Sequence, residues 1–135
     1  MNEQEPQDQQ QRVSQFKSKS GLGRVLNAFL YSWQGVRFAW YQEHAFRQEL
    51  MVALPAAVLA LFMPVTGMEK LLLIAVLALV LIVELINSAI EAAIDRISLE
   101  RHPLSKNAKD LGSAAVMLAI LVAAATWAVV LFPLI

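Results

Sequence analysis

The sequence predicts an all-α, polytopic membrane protein: three transmembrane helices preceded by an amphipathic surface helix. Three observations lead there. Hydrophobic residues make up 58% of the 135-residue chain and charged residues only 16%, and the mean hydropathy is +0.54, too apolar for an ordinary soluble domain of this size. Leu50 to Met68 and Leu111 to Ile135 carry no charge, and Leu71 to Val83 begins a third apolar run. Each run can cross a hydrocarbon core about 30 Å thick, which takes roughly 20 helical residues. The first run starts some 50 residues into the chain and lacks the flanks of a cleaved signal peptide.

Residues 1–20, rich in Gln, Glu, Ser and Lys, read as a disordered cytosolic tail, and residues 21–135 as one membrane domain. From Leu22 the pattern becomes helical. Leu22, Val25, Leu26, Phe29, Trp33, Val36 and Trp40 recur at steps of three and four, with Arg24, Asn27, Gln34, Arg37 and Tyr41 mostly opposite. This predicts a surface helix over about 22–47, whose aromatic residues suit the headgroup region; a plain membrane anchor is the alternative role. Transmembrane helices are predicted over about 48–65, 67–97 and 105–133. Pro64 to Gly67 forms the turn between the first two, and Thr66 with Glu69 matches a capping box that would start the second.

Charge gives the orientation. Six Lys or Arg precede the first span, one (Lys70) lies between the first two, and four (Arg96, Arg101, Lys106, Lys109) lie between the second and third. The positive-inside rule puts the N-terminus in the cytoplasm and the C-terminus outside. No basic run suits nucleic acid, and without cysteine there is no disulfide, thiolate metal site or thiol catalysis.

The second span carries the chemistry. Taking Glu84 as zero at about 100° per residue, Asn87 falls near 300°, Ser88 near 40°, Glu91 near 340° and Asp95 near 20°, so the acids share one polar ridge. Glu84 lies roughly 25 Å along the helix from Gly67, and Glu91 about 10 Å further out. Ionisable groups at the edge of a hydrophobic span are costly unless they face protein, water, an ion or a substrate. A proton relay or cation pathway would distribute acids across the bilayer depth. Here they cluster at the cytosolic side, which favours surface chemistry over conduction, and a purely structural or assembly protein would not need the ridge. Soluble nucleotide-binding signatures are absent: there is no G-x-x-x-x-G-K-[ST] loop, and Gly21-Leu-Gly23-Arg-Val-Leu26 lacks the third glycine of a dinucleotide fingerprint. His44 and His102 read as solvated or interfacial polar residues.

Glu84, Asn87-Ser88-Ala89-Ile90-Glu91-Ala92 and Asp95-Arg96, followed by Lys109-Asp110-x-Gly112-Ser113-Ala114-Ala115-Val116, resemble the signature of the small bacterial integral-membrane diacylglycerol kinases. Upstream, Tyr31-Ser32-Trp33-x-Gly35 and Glu43-x-Ala45-Phe46-Arg47-Gln48-Glu49 are similar to that family too, and the resemblance runs from about Leu22 to Phe132. It implies a homotrimer in the bacterial inner membrane with composite active sites between subunits, and transfer of the ATP γ-phosphoryl group to the free hydroxyl of diacylglycerol, giving phosphatidic acid. It implies Glu84 as the proton acceptor, with Asn87 holding the hydroxyl or Glu84 in place. Glu43 and Glu91 match its Mg²⁺ and ATP ligands. Arg24, Tyr31, Asp95, Glu100, Arg101, His102, Lys109 and Asp110 match positions near the nucleotide. For the lipid it points to Arg37, Trp40, Ala45, Phe46, Arg47, Gln48, Glu49, Ser113 and Trp127 besides Glu84 and Asn87. A sister branch of the same fold phosphorylates undecaprenol. Tyr31-Ser32-Trp33, Phe46-Arg47-Gln48-Glu49, Asp95-Arg96-Ile97 and Gly112-Ser113-Ala114-Ala115 look more like the diacylglycerol branch.

Overall fold

The computed structural model describes residues 21–134, and the tail expected over residues 1–20 lies outside them. Helix α1 spans Gly21–Gln42, α2 His44–Phe62, α3 Gly67–Ile97 and α4 Pro103–Leu131, and a 3₁₀ turn follows at Phe132–Leu134. No strand occurs among the described residues. α2, α3 and α4 are each long and apolar enough to cross a membrane. The chain forms two compact units, one ending at Arg37 and the other running over Phe38–Ile135. In the first, residues 21–37 are helical, with Leu22, Phe29, Tyr31 and Trp33 fully exposed.

The second unit holds the three long helices. α2 packs on α3, and α3 packs more extensively on α4. The buried face of α4 is Gly112, Ala119, Ala123 and Val130, spaced seven, four and seven, a single stripe of mostly small residues. Small residues let two helix backbones approach closely within a bilayer, where apolar transfer contributes little to helix association. Opposite them α3 buries Leu73, Val76 and Val80. Ala60, Met63, Leu73 and Val130 form one cluster at the Pro64 turn, and Val76, Val80, Ala119 and Ala123 form a second. Trp127 packs against both, and its indole Nε1 donates to the Leu73 carbonyl at 3.3 Å.

Helix boundaries have local causes. Thr66 and Glu69 form the expected capping box: Glu69 Oε2 accepts from the Thr66 amide at 2.7 Å, and Thr66 Oγ1 accepts from the Glu69 amide at 3.3 Å. Lys70 Nζ donates to the Leu61 carbonyl at 2.7 Å, satisfying the last turn of α2. The break between α1 and α2 falls at Glu43, before the end at residue 47 that hydrophobic periodicity gives. Glu43 is extended (φ −101°, ψ 111°), and Arg47 explains the break. Its guanidinium donates to the carbonyls of Trp40 at 2.9 Å and Tyr41 at 3.1 Å, occupying carbonyls at the end of α1. It also lies 2.7 Å from His44 Nδ1.

Candidate functional site

The stripe of α3 that packs on α4 does not end where apolar residues end. Leu73, Val76 and Val80 are followed on the same face by Glu84, Asn87 and Ser88, all buried, with Glu84 only 4% exposed. The polar ridge is thus a continuation of the helix–helix seam, which keeps its charges out of lipid. α3 has 31 residues, about 46 Å of helix, so some three turns at its C-terminal end exceed what a bilayer core needs. Glu84 lies about 25 Å along α3 from Gly67, near the length that a hydrocarbon core about 30 Å thick needs, and Glu91 and Asp95 lie further along the helix.

A recess of about 410 Å³ opens on the seam at this level. Glu43, Glu49, Glu84 and Glu91 line it, together with Asn87 and Ser113, above an apolar floor that includes Met117 and Ile120. The four carboxylates arrive by three routes. Glu84 and Glu91 lie two turns apart on α3, Glu49 comes from the second turn of α2, and Glu43 from the break before it. Glu43 occupies the N-cap position of α2 without its side chain capping the helix, so its carboxylate is available to the recess. Glu69, at the other end of α3, has its carboxylate committed to the capping box. Asn87 Nδ2 donates to Glu91 Oε1 at 3.2 Å and orients that carboxylate. Two buried side-chain atoms here have no hydrogen-bond partner, Glu49 Oε2 and Asn87 Oδ1. Orphaned buried polar atoms are rare and cluster where a ligand or water completes them.

A second recess, about 620 Å³, lies one turn beyond Glu91 at the loop between α3 and α4. Asp95, Glu100, Arg101, His102, Lys109 and Asp110 all line it. Lys109 Nζ donates to Asp95 Oδ1 at 2.5 Å, tying α4 to α3, and Lys106 pairs with Asp110 along α4. His102 Nδ1 accepts from the Leu104 amide at 3.2 Å and so caps α4. Two lysines and an arginine thus stand among three carboxylates, and Lys106 and Lys109 are each paired with one of them.

A third cavity, a groove of about 440 Å³ walled almost wholly by apolar atoms, runs between α2, α3 and α4. Gln48 and Glu49 stand at one end and Trp127 at the other. Glu49 lines both the groove and the carboxylate recess, so the groove leads to the acids. An apolar channel ending at carboxylates fits an amphiphile whose polar end must meet them.

The remaining residues expected at the site are placed differently. Ala45 lines the carboxylate recess, whereas Phe46 is buried and Arg47 is engaged at the break. Trp40 is exposed near the end of α1. Arg24, Tyr31 and Arg37 lie exposed on the part of α1 belonging to the first unit. Two residues given no role from the sequence emerge here. Ser88 is buried beside Asn87, and Gly112 is the α4 residue that faces Asn87. The α4 spacing of seven, four and seven carried the signal for Gly112.

Among the described residues no three His, Cys, Asp or Glu side chains converge as a metal cage. Mg²⁺ does not require one, since it is held through one or two carboxylates plus waters and substrate phosphate oxygens. Glu43 and Glu91 both line the recess, and their carboxylates are hard-oxygen donors that could serve this way.

The model of the prokaryotic diacylglycerol kinase family matches residues 30–131. A diacylglycerol kinase of Escherichia coli strain K12 is 50% identical over 113 residues, covering 84% of this chain and 93% of that protein. One from Pseudomonas aeruginosa is 52% identical over 118 residues, 87% of this chain and 96% of that protein. One from Haemophilus influenzae is 42% identical over 113 residues, 84% and 96% respectively.

Proposed function

The chain belongs to the prokaryotic diacylglycerol kinase family, and from that premise we propose how its residues carry the reaction. It is an integral-membrane enzyme that uses ATP to phosphorylate diacylglycerol. The observation that supports the mechanism best is the order of the three cavities: an apolar groove reaches the carboxylates through Glu49, and a separate polar recess begins one turn beyond Glu91.

Diacylglycerol lies with its chains along the groove toward Trp127 and its free hydroxyl at Glu84. Glu84 accepts the hydroxyl proton as the hydroxyl oxygen bonds to the γ-phosphorus and the bond from that phosphorus to the β,γ-bridging oxygen breaks, leaving ADP and phosphatidic acid. The displacement is direct and in line, with no phosphoenzyme. Asn87 orients Glu91 and the hydroxyl. ATP occupies the loop recess, where Lys109 neutralises phosphate charge as a point cation and Asp95, Glu100, Arg101, His102 and Asp110 shape the nucleotide site. Trp40, Ala45, Phe46, Arg47, Gln48, Glu49 and Ser113 complete the lipid side. Glu43 and Glu91 hold Mg²⁺, which when bound neutralises phosphate oxygens.

α1 lies on the cytosolic surface as an amphipathic helix, with the C-terminus on the outer side of the inner membrane. The active unit is a homotrimer with sites shared between subunits. Glu43 and Glu91 stay only partly buried within one chain, leaving room for a second copy to complete the wall of the recess.

The test is Mg²⁺-dependent transfer of labelled γ-phosphate from ATP to diacylglycerol, and in parallel to undecaprenol, by purified protein in mixed micelles. Glu84→Gln should lower transfer by about 100-fold or more, the range a positioned general base supplies. Preference for undecaprenol would keep the mechanism and change the substrate. A fully active Glu84→Gln would remove Glu84 from its role.

A further inference from the structure

Asn87 is held in an unusual way for a buried amide. Its Nδ2 has one partner, Glu91 Oε1, and its Oδ1 has none. Hydrogen bonding therefore leaves half of the amide undirected, and packing must supply the rest. That packing is Gly112 of α4. A Cβ built at Gly112 would fall on Asn87 Oδ1, far inside any permissible contact, and would lie 3.3 Å from Asn87 Cγ. The Asn87 Cα stands at 3.8 Å, an ordinary contact. The space next to Gly112 that any other residue would fill is thus occupied by the Asn87 amide alone, and the helix backbones themselves are not in conflict.

From this geometry we infer that Gly112 is a positioning residue for the phosphoryl-transfer site: its missing side chain seats the Asn87 amide, and through it orients the Glu91 carboxylate. The inference rests on the proposed role of Glu91 as a Mg²⁺ ligand. A methyl group at position 112 meets the end of a side chain rather than backbone, so the fold relieves the overlap by swinging the amide about its χ angles. No partner on Oδ1 resists that swing. The same rotation carries Nδ2 away from Glu91 and frees the carboxylate, so a single methyl on α4 acts on a ligand of α3 that it does not touch. Groups that orient a metal ligand from behind are worth roughly 10- to 100-fold in metal affinity.

The experiment compares Gly112→Ala, Asn87→Ala and the double variant, purified in mixed micelles, by helical circular dichroism, thermal unfolding and kinase kinetics. Gly112→Ala should retain wild-type helicity and require roughly tenfold more Mg²⁺ for half-maximal activity, a larger change than in the KM for diacylglycerol, whose hydroxyl Asn87 also orients. A defect in packing alone would not single out Mg²⁺. Its unfolding midpoint should fall in the wild-type background but not beside Asn87→Ala, where the obstructing amide is gone. Wild-type turnover and Mg²⁺ dependence in Gly112→Ala, or an equal drop in midpoint in both backgrounds, would overturn the inference. Should Gly112→Ala fail to fold, recovery of folding in the double variant supports the Asn87 contact and continued failure overturns it. The unfolding cycle is independent of the reaction. If the wild type transfers no phosphate, the kinase reading falls while the seating of Asn87 by Gly112 is still decided.

Discussion

Lys109 on α4 donates to Asp95 on α3 at 2.5 Å, fourteen residues away along the chain, and this pair ties the two helices together beside the loop that joins them. Both side chains remain substantially solvated, 38% and 50% exposed. A pair in that setting adds little to stability, because water screens it and two long side chains must be ordered to form it. Its value lies in placing the Lys109 charge on the wall of the loop recess. Asp95→Asn should therefore leave the unfolding midpoint nearly unchanged and raise the KM for ATP by roughly tenfold, the scale of one charge-assisted hydrogen bond. Thermal unfolding beside ATP titration checks this, and an altered midpoint with an unchanged KM would reverse the assignment.

Arg47 holds the carbonyls of Trp40 and Tyr41 and so fixes the break that presents Glu43 to the recess. Both carbonyls accept from Nη1 while Nη2 meets His44 Nδ1, and lysine keeps the charge but lacks the planar guanidinium that fixes these directions together. Arg47→Lys should raise the Mg²⁺ concentration for half-maximal activity, through Glu43, while overall helicity stays that of the wild type. Titration of activity against Mg²⁺ is the measurement, and an effect confined to the KM for diacylglycerol would leave Arg47 its proposed role at the lipid and remove the one through Glu43.

Trp127 has two relationships that one substitution separates. Its Nε1 donates to the Leu73 carbonyl, and its ring lines the apolar groove. Trp127→Phe removes the donor and shrinks the ring. Stability should fall by about 1 kcal/mol for the lost hydrogen bond. The KM for diacylglycerol should rise with that for ATP unchanged, because the groove and the loop recess are separate cavities. Equal shifts in both constants would argue for a general loosening of the α3–α4 seam.

Thr66 offers a control at the opposite end of α3. Thr66→Ala removes the acceptor of the capping box and should cost about 1 kcal/mol of stability, as helix caps generally do. Glu84 lies roughly 25 Å away along the helix, so turnover and all KM values should match the wild type. A loss of turnover without a loss of stability would mean that the Pro64 turn communicates with the site.

Much of this protein was readable from local pattern. The three spans follow from charge-free runs that only a bilayer or a large core could accept, and the capping box follows from Thr66 and Glu69 at the required spacing. The ridge from Glu84 to Asp95 follows from helical geometry, since residues at steps of three and four must share a face. Helical period says which residues are neighbours on one helix, and it says so before any other helix is present. The same reasoning could not locate the break at Glu43, because that break depends on Arg47 reaching back to carbonyls six and seven residues earlier.

The sequence by itself determined that three long apolar helices follow a shorter amphipathic one, and which face of α3 is polar. Only the tertiary structure decided that Gly112 meets Asn87, that Glu49 of α2 stands between the apolar groove and the carboxylates, and that Trp127 reaches Leu73 across fifty-four residues of chain. The physical reason is register. Sliding α4 along α3 by one turn would leave every hydrophobic period intact, and the choice among such registers rests on which small residue accepts which large one. That is a property of two surfaces in contact, which no single stretch of chain contains.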